Sequence, residues 1–364
     1  IGCAMIFMKV IEGSGALDAL SSLIIEKFHR FPAVLLVLIM LIIMFPGMIT
    51  GSSTAAVLSA GSIMAPVLAL MGIDAVTSGS IIAMGALLGM IAPPVNTAAL
   101  IICAGIDVPY VGFEGPLALI TFPLAILFVL LLGYKQARHM DYEKLKPALE
   151  KQDAIRKQYG VRIYIPLLVL VALMVIFKVL KLGEDIGMPL MFLISAAVGL
   201  FTGKKINVLT AVPEAIRTAA PVMGILMGVG MFIEVMTATG VRGLVVISCL
   251  RLPSTLWLLA CAISIPLFGA VSSYGACSVL GVPFAYIYAS LLGGNSVVVL
   301  AAISLIAAVG DMMPPTALAG LFAAQVTGVE KYTKILKRCI VPIIILLVYA
   351  CFFLANSKLI AGLF

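Results

Sequence analysis

Long apolar runs separated by a few short charged loops decide what this chain can fold into. Such runs lie near residues 2–24, 33–70, 77–104, 116–133, 163–180, 188–202, 219–247, 254–290, 297–327 and 339–356. About 20 apolar residues in a helix cross the hydrocarbon layer of a bilayer. Of the 364 residues, 63% are hydrophobic and 11% are charged, where soluble domains sit near half apolar and a quarter charged. The mean hydropathy is +1.23. No single soluble core can hide so much apolar surface. Backbone amides in lipid must be satisfied within the segment, so the expected fold is an all-α polytopic membrane protein.

The formal net charge of +7 is concentrated in loops, a pattern of membrane topology rather than of nucleic-acid binding. The seven cysteines (Cys3, Cys103, Cys249, Cys261, Cys277, Cys339, Cys351) form no C-x-x-C pair. They read as small packing residues rather than a zinc or disulfide framework. No signal peptide is visible: Ile1 opens directly onto an apolar run.

The clearest loop, 134–162, holds eight Lys or Arg (Lys135, Arg138, Lys144, Lys146, Lys151, Arg156, Lys157, Arg162) against four acids. Such loops stay in the cytoplasm. Lys204, Lys205 and Arg217 mark a second inside loop, and Lys331, Lys334, Lys337 and Arg338 a third. The stretch 107–115 has no Lys or Arg and reads as outside. Counting spans from these marks leaves the C-terminus outside.

Residues 32–100 align with 253–321 at an offset of 221, which sets Pro32 on Pro253, Ser52 on Ser273, Ala55 on Ala276, and Pro93-Pro94 on Pro314-Pro315. Upstream, an offset of 225 sets Phe7, Val10 and Gly15 on Phe232, Val235 and Gly240. The two Pro-Pro pairs fall in equivalent helices that run in opposite directions, the inverted repeat of many secondary carriers. The chain then divides into a first repeat, 1–133, a cytoplasmic connector, 134–162, and a second repeat, 163–364. Because the second repeat has two helices, 163–202, with no counterpart, about two further helices, on the order of 60 residues, are expected ahead of Ile1.

Within each repeat two features interrupt the apolar pattern. Thr50-Gly51-Ser52-Ser53-Thr54, and Gly269 to Gly275 in the second repeat, place a polar break between two apolar legs that begin and end on one side. This predicts a re-entrant helical hairpin, tolerated where protein or a water-filled cavity covers the tip. Each Pro-Pro breaks a helix, since proline lacks an amide donor and clashes with the preceding turn. The breaks free carbonyls near Ala92–Asn96 and Met313–Thr316. With Ser, Thr and Asn oxygens they suit a hard cation such as sodium, while exposed amides at half-helix starts suit a carboxylate. Asn96 and Thr97 follow the first break and Thr316 the second.

Intramembrane charges are functional candidates. Asp311 stands just before the second Pro-Pro, and its counterpart is Met90. Lys9 and Glu12, three apart on one helix, are expected to neutralise each other. Gly85–Gly89 and Gly224–Gly228 are small-residue pairs that permit close helix packing. Gly199 to Lys205 lacks the spacing and the Ser or Thr of a phosphate loop. Val309-Gly310-Asp311 lacks the first glycine of the Gly-x-Gly-Asp motif of an intramembrane aspartyl protease. No catalytic dyad is in view, and a non-enzymatic carrier is expected, with a channel or an intramembrane protease as lesser alternatives.

Gly51-Ser52-Ser53-Thr54-Ala55, Gly61 to Pro66 and Ile91 to Pro94 resemble the large permease subunit of tripartite ATP-independent periplasmic (TRAP) transporters, of the dicarboxylate or sialic acid type. Glu12 to Gly15, Met313 to Thr316 and Leu321 to Gly328 extend the resemblance over nearly the whole chain. It implies an elevator-type carrier in the bacterial or archaeal cytoplasmic membrane, with no cofactor and with sodium as coupling ion. Sodium would bind at Gly51, Ser52, Ser53, Pro94 and Asn96, and at Ser272, Ser273, Pro315 and Thr316, with Asp311 beside the second site. A small organic anion would lie between the tips, near Ser53, Thr54, Asn96, Thr97, Ser273, Tyr274 and Thr316. The implied partners are a small four-helix membrane subunit and a periplasmic substrate-binding protein. The alternative within the wider ion transporter superfamily is a stand-alone citrate or gluconate symporter or sodium–proton antiporter.

Overall fold

The computed structural model describes residues 2–138, 154–179, 186–253 and 256–364. Most of the predicted connector, 139–153, lies outside them. The chain is all-helical there: α1 Gly2–Ser14, α2 Ala16–Phe28, α3 Pro32–Thr50, α4 Ser53–Leu70, α5 Ala75–Ile91, α6 Thr97–Gly105, α7 Glu114–Ala137, α8 Ala154–Phe177, α9 Met188–Thr202, α10 Val208–Ala238, α11 Val241–Leu250, α12 Trp257–Gly269, α13 Ser273–Leu291, α14 Ser296–Met312, α15 Leu318–Thr327, α16 Tyr332–Ala355 and α17 Ser357–Ala361. Among the described residues, six of these (α3, α4, α7, α8, α13 and α16) are long and apolar enough to cross a membrane. This is a polytopic membrane protein.

Both expected hairpins are present. In the first, α3 closes on Gly51, whose φ of 67° places it in the left-handed region, where glycine has no Cβ to clash. Ser52 then caps α4 by accepting the Ala55 amide. In the second, α12 ends at Ala270 and Ser272 caps α13 by accepting the Gly275 amide. Each incoming leg carries an internal proline, Pro46 or Pro266.

The caps correct the register of the repeat. Ser52 corresponds to Ser272, not to Ser273, so the tips are offset by 220 while the Pro-Pro pairs are offset by 221. The π-turns that follow, Val57–Gly61 and Cys277–Gly281, keep the offset of 220. The extra residue enters later, in a second π-turn, Tyr286–Leu291, that the first hairpin lacks. A π-turn inserts one residue into a helix without ending it, so α13 is one residue longer than α4.

Two spans differ from the sequence reading. Residues 219–247 are not one helix: α10 begins at Val208, takes in Arg217 from the expected inside loop, and stops at Thr239-Gly240. Residues 2–24 likewise break at Gly15. Gly15 and Gly240, aligned in the repeat, have φ of 80° and 75°, so a left-handed glycine ends a helix in both halves.

Contacts sort the loops onto two faces. Glu26 pairs with Arg156, and the Asp74 amide donates to the Gln136 side chain. Gly79 lies against Thr327 and Ile335. The exit of the first hairpin, the ends of the connector and the third basic loop therefore share one face. At the other, the Phe364 ring packs on Gly115, and Gly294 meets Ser357. The C-terminus thus shares a face with the start of α7. On the connector face Asp74 caps α5. Burial raises its carboxyl, but hydrogen bonds from Thr77 and Gln136 outweigh this and hold its pKa below the ordinary value.

Two apolar clusters build the body. The larger joins both hairpins, both broken helices, α7 and α16. The smaller joins α1, α2, α8 and α9. Within the larger one, glycines let backbones cross at contact distance. Gly89 of α5 faces Met44 of α3, and Gly310 of α14 faces Gly269 of α12. Gly85 of the predicted pair also packs, against Met40 and Ile43, whereas Gly224 and Gly228 have nothing within 4 Å among the described residues.

Candidate functional site

Proline chemistry shapes both breaks alike. After α5 the chain passes through the cis Pro93-Pro94 bond, and the Val95 amide donates to the Met48 carbonyl of the first hairpin at 3.1 Å. After α14 it passes through the cis Pro314-Pro315 bond, and the Thr316 amide donates to the Ala270 carbonyl of the second hairpin at 3.3 Å. Each broken helix is thereby fastened to the tip of its own hairpin.

The restarts differ. Asn96 caps α6 by accepting the Ala99 amide at 2.9 Å, and its side-chain amide donates to Ser304 Oγ on α14 at 2.8 Å. In the second half Ala317 takes that position, with φ of 39° and no side-chain cap. Thr316 compensates in part, its hydroxyl donating to the Ala270 carbonyl at 2.7 Å.

The two tips meet at Asp311, which is 5% exposed. Its carboxylate accepts the Ser53 hydroxyl from the first tip, and Ser273 of the second tip lines the same cavity. A second link joins the tips, because the Tyr274 hydroxyl donates to the Gly51 carbonyl at 2.8 Å. Ser53 and Asp311 stand 258 residues apart in sequence, and the fold brings them together.

A cavity of about 800 Å³ opens at this junction. Ser52, Ser53, Thr54, Ser272, Ser273, Tyr274, Asp311 and Thr316, all predicted site residues, contribute to its wall. The opposite wall comes from α1 and α10, with Met5, Met8, Lys9, Glu12 and Thr218. Lys9 pairs with Glu12 at 3.2 Å, as expected, and also with Glu214 at 3.3 Å. The starts of α4 and α13 face the cavity, and helix starts carry partial positive charge.

Gly51, Pro94, Asn96, Thr97 and Pro315 are not part of that wall. Asn96 and Thr97, expected to touch the solute, are fully buried in this conformation. Thr97 Oγ1 lies against Gly51, 2.1 Å from where a Cβ on that glycine would stand. They serve the first break from inside. Local sequence pattern does not mark Tyr110, whose hydroxyl receives the Asn96 amide at 3.1 Å and donates to the Pro94 carbonyl at 3.3 Å. Nor does it mark Ser304 or Glu214. All three act through pairings between distant segments, which local pattern does not announce.

A family model described as "Tripartite ATP-independent periplasmic transporter, DctM component" matches residues 1–357. Among solved structures, the crystal structure of the Alcanivorax borkumensis YdaH transporter, described as having an unusual topology, superposes with a TM-score of 0.58 at 14% identity, covering 99% of this chain and 85% of that one. At that identity the likeness is one of fold. No curated protein matches.

Proposed function

Because the chain belongs to the DctM-component family of tripartite ATP-independent periplasmic transporters, we propose that it carries a small organic anion such as a dicarboxylate or sialic acid through the cavity between its hairpin tips, driven by sodium. The family shows a secondary transporter subunit. The observation that supports the finer reading is the junction itself. Two hairpin tips and a broken helix converge on one cavity rich in hydroxyls and faced by two helix starts.

The charges of the cavity explain why anion and cation would move together. Its one ammonium, Lys9, is already answered by Glu12 and Glu214, and Asp311 adds a further carboxylate. An anion entering this wall meets net negative charge unless cations enter with it. Hydroxyl, carbonyl and carboxylate oxygens are the donors a hard alkali cation prefers. Such oxygens lie at Ser52, Ser53 and the Gly51 and Pro94 carbonyls, and at Ser272, Ser273, Asp311, Thr316 and the Pro315 carbonyl.

The cluster of hairpins and broken helices would be the moving body of an elevator, with α1, α2, α8 and α9 belonging to the support. The family works in tripartite systems with a small membrane subunit and a periplasmic binding protein. By the positive-inside rule the connector face would lie in the cytoplasm of a bacterial or archaeal cell, with the C-terminus outside.

The test is uptake of labelled C4-dicarboxylates and sialic acid into proteoliposomes containing the full-length protein. A sodium gradient is imposed, with and without the binding protein and small subunit. Sodium-driven uptake that needs both partners is expected. Uptake indifferent to sodium would sink the coupling. Uptake by this subunit alone would move the assignment to a stand-alone carrier.

A further inference from the structure

On the face opposite the connector, a second cavity of about 480 Å³ opens among the ends of four helices. There α12 starts at Trp257, α13 ends at Leu291, α14 starts at Ser296 and α16 ends at Ala355. Trp257, Tyr288, Leu292, Leu354, Ser357 and Lys358 stand in its wall. It shares no lining residue with the cavity at the hairpin tips.

Charge, depth and wall together indicate what it takes. Lys358 is the one Asp, Glu, Lys, Arg or His in segments 252–310 and 339–364. Among the described residues it pairs with no acid, Asp107 and Glu114 of the same face included. An ammonium without a carboxylate leaves room for an anion, and lysine is a common partner of phosphate. The depth is that of a membrane boundary, because α13 and α16 are both long enough to cross a bilayer and both end here. Trp257, the one tryptophan of the chain, stands at this level and donates its indole N–H to the Leu252 carbonyl at 3.0 Å. Tryptophan collects at membrane–water interfaces, its ring in the apolar layer and its N–H satisfied. Around the wall, Leu256, Leu259, Leu291, Phe352 and Leu359 are exposed, a run of bare apolar side chains that suits lipid tails better than water. Within it, the Tyr288 hydroxyl is buried and has no hydrogen-bond partner among the described residues, a donor left unused. A free anion satisfies Lys358 and leaves the apolar wall bare. A neutral tail does the reverse. A molecule with both parts satisfies both.

We propose that this cavity is a binding site for one anionic phospholipid, its phosphate against Lys358 and an acyl chain against Trp257, Leu292 and Leu354. A zwitterionic lipid carries its own ammonium beside the phosphate and gains less from Lys358. One basic residue close to an anionic lipid surface is worth about fivefold in affinity. The site stands apart from the hairpin tips and does not depend on the transport reading.

The test is photolabelling of the full-length protein in detergent by a phosphatidylglycerol with a photoactivatable acyl chain, followed by peptide mapping. Label is expected in segments 286–294 and 351–359. Unlabelled phosphatidylglycerol should displace it about fivefold better than phosphatidylcholine of the same chains. Lys358→Gln should bring that ratio to about one, Lys358→Arg should keep it, and Lys331→Gln, on the connector face, should leave it unchanged. Lys358 is exposed and makes no ion pair, so its variants should unfold at the wild-type temperature. Wild-type protein in 1 M NaCl, where the screening length falls to about 3 Å, should lose the preference without any substitution. Equal displacement by the two lipids overturns the proposal, as does label confined to other segments. So does a ratio that survives in Lys358→Gln or in 1 M NaCl, or one that Lys331→Gln lowers as much. Displacement by inorganic phosphate as effective as by phosphatidylglycerol would make the site one for a free anion and overturn the lipid.

Discussion

The glycine crossings offer the sharpest quantitative check on how the breaks are held. A methyl group built on Gly310 stands 2.6 Å from the Cα, carbonyl carbon and oxygen of Gly269. On Gly89 it stands 2.5 Å from the Met44 carbonyl oxygen and 2.8 Å from Met44 Cα. Comfortable carbon contacts need about 3.5–4.0 Å, so each helix pair has to part by about 1 Å locally. The obstructing atoms are backbone and have no rotamer to escape into. Overpacking of this kind costs about 1–3 kcal/mol. At Gly89, inside α5, alanine's better helix propensity returns about 0.8–1 kcal/mol. Gly310 lies in a tight 3-10 turn, where that offset is smaller. The expected order of destabilisation is therefore Gly310→Ala above Gly89→Ala, at about 2–3 and 1–2 kcal/mol. Gly85→Ala should cost less, because a methyl there meets the movable side chains of Ile43 and Met40. Gly224→Ala, with nothing within 4 Å, should be neutral or slightly stabilising. Thermal unfolding of the four variants in one detergent gives the ranking. Gly310→Ala unfolding at the temperature of Gly224→Ala would refute the close crossing. Because Asp311 follows directly, Gly310→Ala should also weaken sodium-dependent uptake, and Gly224→Ala should not.

Three other expectations follow from the same structure. Asp74→Ala removes a helix cap and should cost about 1 kcal/mol in thermal stability. Since the native pKa of Asp74 is lowered, its contribution is complete above the unfolded value, near 3.9, and is lost as pH falls through the lower folded value. Asp74→Asn should therefore flatten the acid limb of a stability–pH curve, and an unchanged limb would contradict the hydrogen bonds drawn to it. Ala317→Gly should be neutral or stabilising by up to about 1 kcal/mol, because alanine is held in the left-handed region there; destabilisation beyond that in an unfolding assay would count against this backbone. Tyr274→Phe removes the hydroxyl that bridges to Gly51, a bond of about 1 kcal/mol, and should weaken sodium half-saturation of uptake a few-fold with little change in folding; an unaltered sodium curve would mean that the tips are not coupled through this residue.

How far the sequence could be read depended on whether a residue type forces a backbone event. Gly51-Ser52 and the two Pro-Pro pairs do, and the hairpins and breaks lie where they were expected. Gly15 and Gly240 do as well, and both end helices. The register of the repeat was not legible, because a π-turn at 286–291 adds a residue inside a uniformly apolar leg and no side chain marks it. The start of α10 was missed for a related reason: Glu214 and Arg217 lower the average hydropathy of a segment that is nonetheless helical. The partners of Asp311 were beyond local reading altogether, since Ser53 comes from the opposite half of the chain.

That last limit bears on how the two halves differ. Under the corrected register Ser53 and Ser273 are equivalent, and both line the cavity that holds one carboxylate, belonging to the second half alone. Tyr274 falls opposite Thr54, and it too crosses to the other hairpin. A symmetric pair of sites would need a carboxylate at Met90, yet Met90 is 1% exposed within the apolar core. Pseudo-symmetry explains why the tips meet. It does not supply the charge that joins them, and a charge introduced at Met90 would have to be buried without a partner. The single acid therefore has to serve both tips. Loss of either serine should then disturb the site as a whole rather than one half of it: Ser53→Ala and Ser273→Ala should each raise the sodium concentration for half-maximal uptake, and a wild-type sodium curve in either variant would contradict a shared site.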